Sequence, residues 1–354
     1  MTEGSEPALW RWQHGGSTSA PLTLEPMAFA AIPGWRDDDH AEALACYLRS
    51  AALGPNLPHP AGDAAGLLAE REAARRFFEA HFQPCRINAE PGLLTSYFEP
   101  VLKGSRTRSP AFPVPVYRRP PDLALLPPAH PLAAQGLSAA RATAAGFEPY
   151  FTRGEIKAGA LEDRECALLY LADAVDAFIM HVQGSGVVEL DDGTCARLTF
   201  DGKNGHPYTS ISKWLIAQGK LAVEDAHLDG LKAWLRAEPG REAVLAENRS
   251  YIFFRELDAG AAGPRGSSGV DLYPGRSLAT DPAFHPAGTP LWVSAPDLVF
   301  QGKPFHRLAI AQDTGSAIKG PQRGDIFAGT GHAAGESAGA VRHSCDFIVL
   351  QPSC

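Results

Sequence analysis

The sequence predicts a mainly β protein with peripheral helices, a barrel whose chain is interrupted by a second domain. Three observations carry that prediction. The C-terminal part is made of short apolar runs separated by glycines, such as Leu308-Ala309-Ile310-Ala311, which read as strands and turns. Helical periodicity is confined to segments near the N-terminus and in the middle. A proline-rich stretch, 110–131, separates the first strand-like run from a mixed middle region and marks a domain junction or an extended loop. Regularly repeating strand–helix–strand units and fixed-period repeats are both missing from the pattern.

Taken in order, the chain opens with Trp10 and Trp12, and Pro33-Gly34-Trp35 punctuates the entry to a helical region. Asp37, Asp38 and Asp39 supply cap and dipole partners for a helix over 41–53. A longer helix is expected over 62–82, where Leu67, Leu68, Ala73, Ala74, Phe77 and Phe78 fall near one apolar stripe. Residues 92–99 read as a strand stopped by Pro100, followed by a short basic patch of Lys103, Arg106 and Arg108. Thr152 and Glu155 have capping-box spacing. The run 176–188 reads as strand-like and ends in Gly184-Ser185-Gly186. Asp192-Gly193 predicts a hairpin turn into a strand over 195–200. Helical spacing returns over 210–218, 223–234 and 241–247. Further strands are expected at 251–256, 290–293, 308–311, 325–327 and 346–350.

Bulk properties narrow the function classes. A chain of 354 residues allows one large domain or two ordinary ones, and 45% hydrophobic with 20% charged residues is normal for a globular protein. A formal charge of -8 argues against a dedicated nucleic-acid binder. Six cysteines, Cys46, Cys85, Cys166, Cys195, Cys345 and Cys354, show no metal-ligand spacing and read mostly as buried or free thiols. No run approaches the roughly 20 apolar residues of a membrane span. Met1-Thr2-Glu3-Gly4 lacks the start of a secretory signal, so the chain is expected to be cytoplasmic or to have an export segment outside it.

The residues able to do chemistry are chiefly carboxylates. Asp313-Thr314-Gly315 resembles an aspartic-protease triplet, but that chemistry needs two close carboxylates sharing a proton and the triplet has no second copy. Gly329-Thr330-Gly331 lacks a phosphate-loop lysine. His181, His206, His306, His332 and His343 have no zinc spacing, and neither a Gly-x-Ser-x-Gly elbow nor a close Cys-His signature occurs. Asp325 lies between a glycine turn and the apolar pair Ile326-Phe327, so one side is expected against the core. Partial burial would raise its pKa, as a general acid on a glycosidic oxygen requires. Asp313 would tune it, with Lys319 opposing that effect. From spacing alone, turn-forming and structural roles for both remain open.

Longer motifs carry more information. Leu94-Thr95-Ser96-Tyr97-Phe98-Glu99-Pro100, Tyr150-Phe151-Thr152-Arg153-Gly154-Glu155-Ile156 and Gln183-Gly184-Ser185-Gly186 come in order. Gly202-Lys203-Asn204-Gly205-His206-Pro207-Tyr208, Tyr251-Ile252-Phe253-Phe254, Pro274-Gly275-Arg276-Ser277-Leu278 and Asp313–Gly320 with Asp325 follow. Together they closely resemble the MltA family of membrane-bound lytic murein transglycosylases, from about Pro33 to the C-terminus. The resemblance implies a double-psi β-barrel from residues 1–105 and 247–354, interrupted by a β-rich domain over 106–246, with a glycan groove between them. It implies cleavage of the β-1,4 bond between N-acetylmuramic acid and N-acetylglucosamine without water, leaving 1,6-anhydro ends. Asp325 matches the family's essential aspartate and Asp313 its acidic neighbour. Arg323-Gly324 stands where several relatives have a bulkier pair, and the spacing between the aspartates is one residue longer.

By motif position, Tyr97, Glu99, Gln183, Ser185, Asn204, Tyr208, Tyr251 and Lys319 are the substrate-binding candidates, with Glu99 and Tyr251 equally open to a supporting role. Peptidoglycan glycan strands are the implied partner, the periplasm and outer membrane the implied setting, and no cofactor or metal is implied. Two rival classes are a hydrolytic or wall-loosening barrel and a non-catalytic peptidoglycan binder. Product mass separates all three.

Overall fold

In the computed structural model, residues 23–51, 57–60, 64–258, 261, 263–300 and 303–353 are described. Trp10, Trp12, Cys354 and the starts or ends of the expected helices at Gly62 and Leu53 lie outside them. The chain forms two compact units. One comprises the described residues up to Tyr97 with Arg265–Gly329 and the segment from Ala340; the other comprises Phe98–Pro264 with Thr330–Gly339.

The first unit begins with β1 (Thr23–Pro26), α1 (His40–Ala51), α2 (Ala64–Ala69), α3 (Arg71–His81), β2 (Phe82–Asn88) and β3 (Gly92–Glu99). Asp39 accepts a hydrogen bond from the backbone N–H of Glu42 and so caps α1, as its position predicts. The expected single helix over 62–82 is two helices, separated at Glu70, and Phe82 already belongs to a strand. Its apolar stripe holds in part: Ala74, Phe77 and Phe78 are buried against Tyr47, Trp292, Leu308 and Ile310 and Leu67 packs beside them half-buried, whereas Leu68 is exposed.

The second unit carries β4 (Val101–Ser105), β5 (Val114–Tyr117), β6 (Leu123–Leu125), α4 (Pro131–Ala134), β7 (Ala139–Thr143) and β8 (Gly146–Glu148). It continues with α5 (Arg153–Lys157), β9 (Ala167–Leu171), α6 (Ala174–Gln183), β10 (Ser185–Leu190), β11 (Cys195–Lys203), α7 (Ile211–Ala217), α8 (Leu228–Arg236) and β12 (Ile252–Glu256). Its sheets run β12-β11-β10-β4-β9-β5 and β6-β7-β8. The proline-rich stretch is therefore not an unstructured junction, since it supplies β5 and β6. The Thr152–Glu155 capping box is present at α5, and the 192–193 turn joins β10 to β11 antiparallel.

One local expectation is overturned: 176–188 is not a strand along its length. Asp173 caps α6, Gly184 ends it in the left-handed region at φ 82°, and only from Ser185 does a strand begin. Six consecutive residues, Ala177 to Val182, include only one polar side chain, and an apolar run of that length gives no period by which to tell a buried helix from a strand. Two members of the basic patch are paired with acids, Arg106 with Glu256 and Arg108 with Glu162.

The first unit resumes with β13 (Ser277–Thr280), β14 (Pro290–Phe300), β15 (Lys303–Thr314) and β16 (Arg323–Thr330). After α9 (His332–Gly339), which belongs to the second unit, it ends with β17 (Arg342–Pro352). Six strands close in the order β17-β14-β15-β13-β16-β3, with β3 returning to β17. The barrel is mixed: β13 and β15 are parallel, whereas β14 is antiparallel to both β15 and β17. Leu278, Leu291, Val293, Ala309, Ala311, Ile326, Phe347 and Val349 fill its interior.

Arg276 fastens the N-terminal helices to this barrel. It is 1% exposed, and it donates to both oxygens of Asp38, to Glu42 and to the carbonyls of Asp39 and Leu308. A buried guanidinium is tolerated only when its donors are satisfied in this way.

Candidate active site

The site is built on three neighbouring strands of the barrel. Ala279 of β13 is in register with Asp313 of parallel β15 on one side and Asp325 of antiparallel β16 on the other. Residues directly opposite in a sheet share a face, so both carboxylates flank one small side chain, their backbones about 10 Å apart by two strand spacings.

A bulge makes this possible. Leu278 pairs with Ala311 and Ala279 with Asp313, which leaves Gln312 as the extra residue on β15. Strict alternation would turn Asp313 to the interior with Ala309 and Ala311. The inserted residue resets the phase and brings Asp313 out beside Ala279. Gln312 is itself fully buried and is held from α1: its amide donates to the Cys46 carbonyl at 2.8 Å and to Ser50 Oγ at 2.7 Å. Its side-chain oxygen accepts from Ser277 and Cys46.

The two aspartates are equipped differently. Asp313 Oδ2 accepts from Tyr97 Oη at 2.8 Å, and Oδ1 accepts from the backbone N–H groups of Ser267 and Thr314, both at 2.9 Å. Burial raises its pKa, while these donors oppose the rise. Asp325 Oδ1 accepts from the Thr95 hydroxyl, and its Oδ2 has no hydrogen-bond partner among the described residues. Burial raises the pKa of Asp325; the Thr95 hydrogen bond and Arg323 pull it down, and Asp313 adds to the rise. A half-buried carboxyl held above its ordinary range, with one oxygen free, suits proton donation.

Of the residues singled out in the sequence, Asp325, Asp313 and Tyr97 meet here. Lys319 is in the same unit, but its ammonium lies 3.6 Å from Asp281, and that residue also accepts from the backbone of Gly320. The remaining candidates belong to the second unit. Glu99 is fully buried, 2.7 Å from the Thr330 hydroxyl and 3.3 Å from the Arg197 guanidinium. Gln183 accepts from the backbone N–H of Phe98 at 3.0 Å. The Asn204 amide is committed to backbone groups of Phe151, Arg249 and Tyr251. Tyr251 is buried edge-on against His181 at 4.4 Å, Ser185 is buried at the start of β10, and Tyr208 is exposed.

Thr95 and Arg323 also belong to the site, and chemistry-based reading passed over both. Alternation along β3 was the available signal, because it places Thr95 on the same face as Tyr97.

Comparison with known proteins agrees with this architecture. Residues 93–255 match the family model of the MltA specific insert domain, and 276–351 match that of the 3D domain. A closed six-stranded barrel with a separate β-rich insert is the MltA architecture of a double-psi barrel plus insert. The chain belongs to the MltA family of membrane-bound lytic murein transglycosylases. It is 35% identical to the membrane-bound lytic murein transglycosylase of Agrobacterium tumefaciens, with a TM-score of 0.81 over 93% of this chain and 98% of that one. It is 28% identical to Escherichia coli MltA with bound chitohexaose, with a TM-score of 0.70 over 95% of each chain. The curated Escherichia coli membrane-bound lytic murein transglycosylase A is 36% identical over 256 residues, which span 70% of this chain but 62% of that protein.

Proposed function

We propose that this protein is a lytic peptidoglycan transglycosylase. It cleaves the β-1,4 bond between N-acetylmuramic acid and N-acetylglucosamine without water and leaves 1,6-anhydro-N-acetylmuramic acid ends. Asp325 acts first as general acid on the bridging oxygen. As that bond breaks, positive charge develops at C1 of the muramyl sugar. The resulting carboxylate then takes the proton of the same sugar's C6 hydroxyl, which attacks C1. An internal nucleophile held near C1 replaces the bound water of an ordinary glycosidase, so one carboxyl is sufficient.

The observation that carries this reading is the state of Asp325: half-buried, raised in pKa by burial and by Asp313, and open at one oxygen. Asp313, satisfied by three donors, serves as the fixed neighbour whose charge favours protonated Asp325. Family membership and the relative crystallised with chitohexaose support a glycan as substrate. Tyr97 joins the site through Asp313, and Glu99, Gln183, Ser185, Asn204, Tyr208, Tyr251 and Lys319 support or contact the glycan by motif position. The curated relatives are described as membrane-bound, and we infer a periplasmic, outer-membrane-associated setting for this chain.

Mass spectrometry of products from purified peptidoglycan tests the proposal. Anhydromuramyl ends are expected. Reducing ends carrying added water would mean hydrolysis, and retained binding without cleavage would mean a binding protein. Asp325→Asn should abolish product, by about 100-fold or more as expected for loss of a general acid, while glycan binding persists. Unchanged turnover would remove Asp325 from the mechanism.

A further inference from the structure

Which oxygen of Asp325 holds the proton is set by its neighbours. The Thr95 hydroxyl accepts from Arg323 Nη2 at 2.8 Å and stands against Asp325 Oδ1 on its other side. A guanidinium has only donors and a hydroxyl has only one proton. With Arg323 donating to it, the sole proton of Thr95 is directed at Oδ1. A proton on Oδ1 would face that hydroxyl proton, and in the one direction left to it the Thr95 hydroxyl has no acceptor among the described residues. Arg323 is itself fixed, donating to the carbonyls of Leu93 and Gly324. Among the described residues it forms no ion pair with Asp325, although both lie on β16 two residues apart. A direct pair would hold the carboxyl ionised, whereas the intervening hydroxyl passes on direction with less of the charge.

We propose that Thr95 and Arg323 are positioning residues that confine both proton transfers to a single oxygen, Oδ2 of Asp325. The inference rests on the reading of Asp325 as acid and then base. In the first transfer the O–H bond at Oδ2 breaks, its proton goes to the bridging oxygen, and the electron pair of the C1–O bond goes with that oxygen. In the second, Oδ2 takes the proton of the C6 hydroxyl as O6 bonds to C1. The carboxyl returns to its starting form without rotating, and no water enters. Arg323 thus has a task, since it sets the direction of the Thr95 proton.

The test measures kcat, KM and pH–rate profiles for anhydromuramyl ends in the full chain, with thermal melts to confirm folding. Thr95→Val should lower kcat about tenfold or more with KM changed less than about twofold, because a misdirected acid affects the chemical step and not binding. Its alkaline limb should move to higher pH, since the hydroxyl that stabilises the carboxylate is gone. Thr95→Ser should recover most of the rate. Arg323→Met should fall in kcat, while Arg323→Lys, still donor-only, should recover most of it. An unchanged rate and alkaline limb in Thr95→Val, or equal losses in Arg323→Lys and Arg323→Met, would overturn the proposal. If the unsubstituted protein releases no anhydromuramyl ends, the functional reading fails first and takes this one with it.

Discussion

Asp325 costs the fold most when it gives up its proton. Its pKa is raised in the folded chain, so the native state binds this proton more tightly than the unfolded state does. The sign follows: its contribution to stability is greatest where the carboxyl is protonated and is lost as pH rises through the folded pKa. Asp325→Asn should therefore melt at a higher temperature than the unsubstituted protein at neutral pH. The difference should shrink as the pH is lowered toward 3.8, the ordinary carboxyl value. An Asn variant that is less stable at neutral pH would show that burial is not what strains this group. The two aspartates were noticed in the sequence as carboxylates at expected strand ends, but spacing alone left turn-forming and structural roles open, and only the long motifs singled them out. Thr95 was not, since a threonine in a strand is ordinary and only its contacts distinguish it. Asn204 and Glu99 illustrate the opposite case. Both are conspicuous polar residues in long motifs, yet the side-chain amide of Asn204 is bonded to backbone and Glu99 is enclosed with Arg197 and Thr330.

At the level of elements, β15 decides the site. Its apolar run announced a strand, and the strand is there, but the bulge at Gln312 has no signature in a single sequence: it depends on the partner strand β13 and on α1 across the sheet face. Gln312→Leu would remove the acceptor of the buried Ser277 hydroxyl proton and a side-chain donor to the Cys46 carbonyl, at about 1–3 kcal/mol. It should also loosen Asp313, so denaturant melts should show the loss and product formation should drop with it. Stability within about 0.5 kcal/mol of the parent, the range of a surface change, would deny the bulge its anchor. The same reasoning explains why α6 was misread. Asp173 and Gly184 cap it, but neither was read as a cap, and the apolar residues between them fit either a buried strand or a buried helix.

For the whole molecule, titration divides into two opposed groups. Asp313 and Asp325 favour the folded state on acidification, whereas His40, His181, His206 and His285 are buried with pKa values below the ordinary imidazole value. His285 is pushed down to about 4 by burial, and its ring lies 2.7 Å from the Pro321 carbonyl. A depressed histidine contributes stability that is present above about 6.5 and lost as pH falls toward 4, a loss on the order of 3 kcal/mol for His285 alone. Melting temperature should therefore fall across that interval, and His285→Gln should flatten the profile. A profile unchanged by the substitution would place the acid sensitivity elsewhere. The fold class was legible at this scale because glycine-spaced strands and a change of texture near residue 110 survive without any contact information. Membership of residues in the two units was harder to see, because it is written in packing.

The placement of α9 shows what that means. The segment 330–339 leaves the barrel between β16 and β17 and joins the other unit, where Gly335 lies so close to the Phe98 ring that a side chain would clash, and Gly331 donates to the Glu99 carbonyl. The insert is therefore not one continuous piece of polypeptide that could be lost or transplanted by a single excision. A deletion spanning its main stretch would leave its last helix behind, still joined at both ends to strands of the barrel.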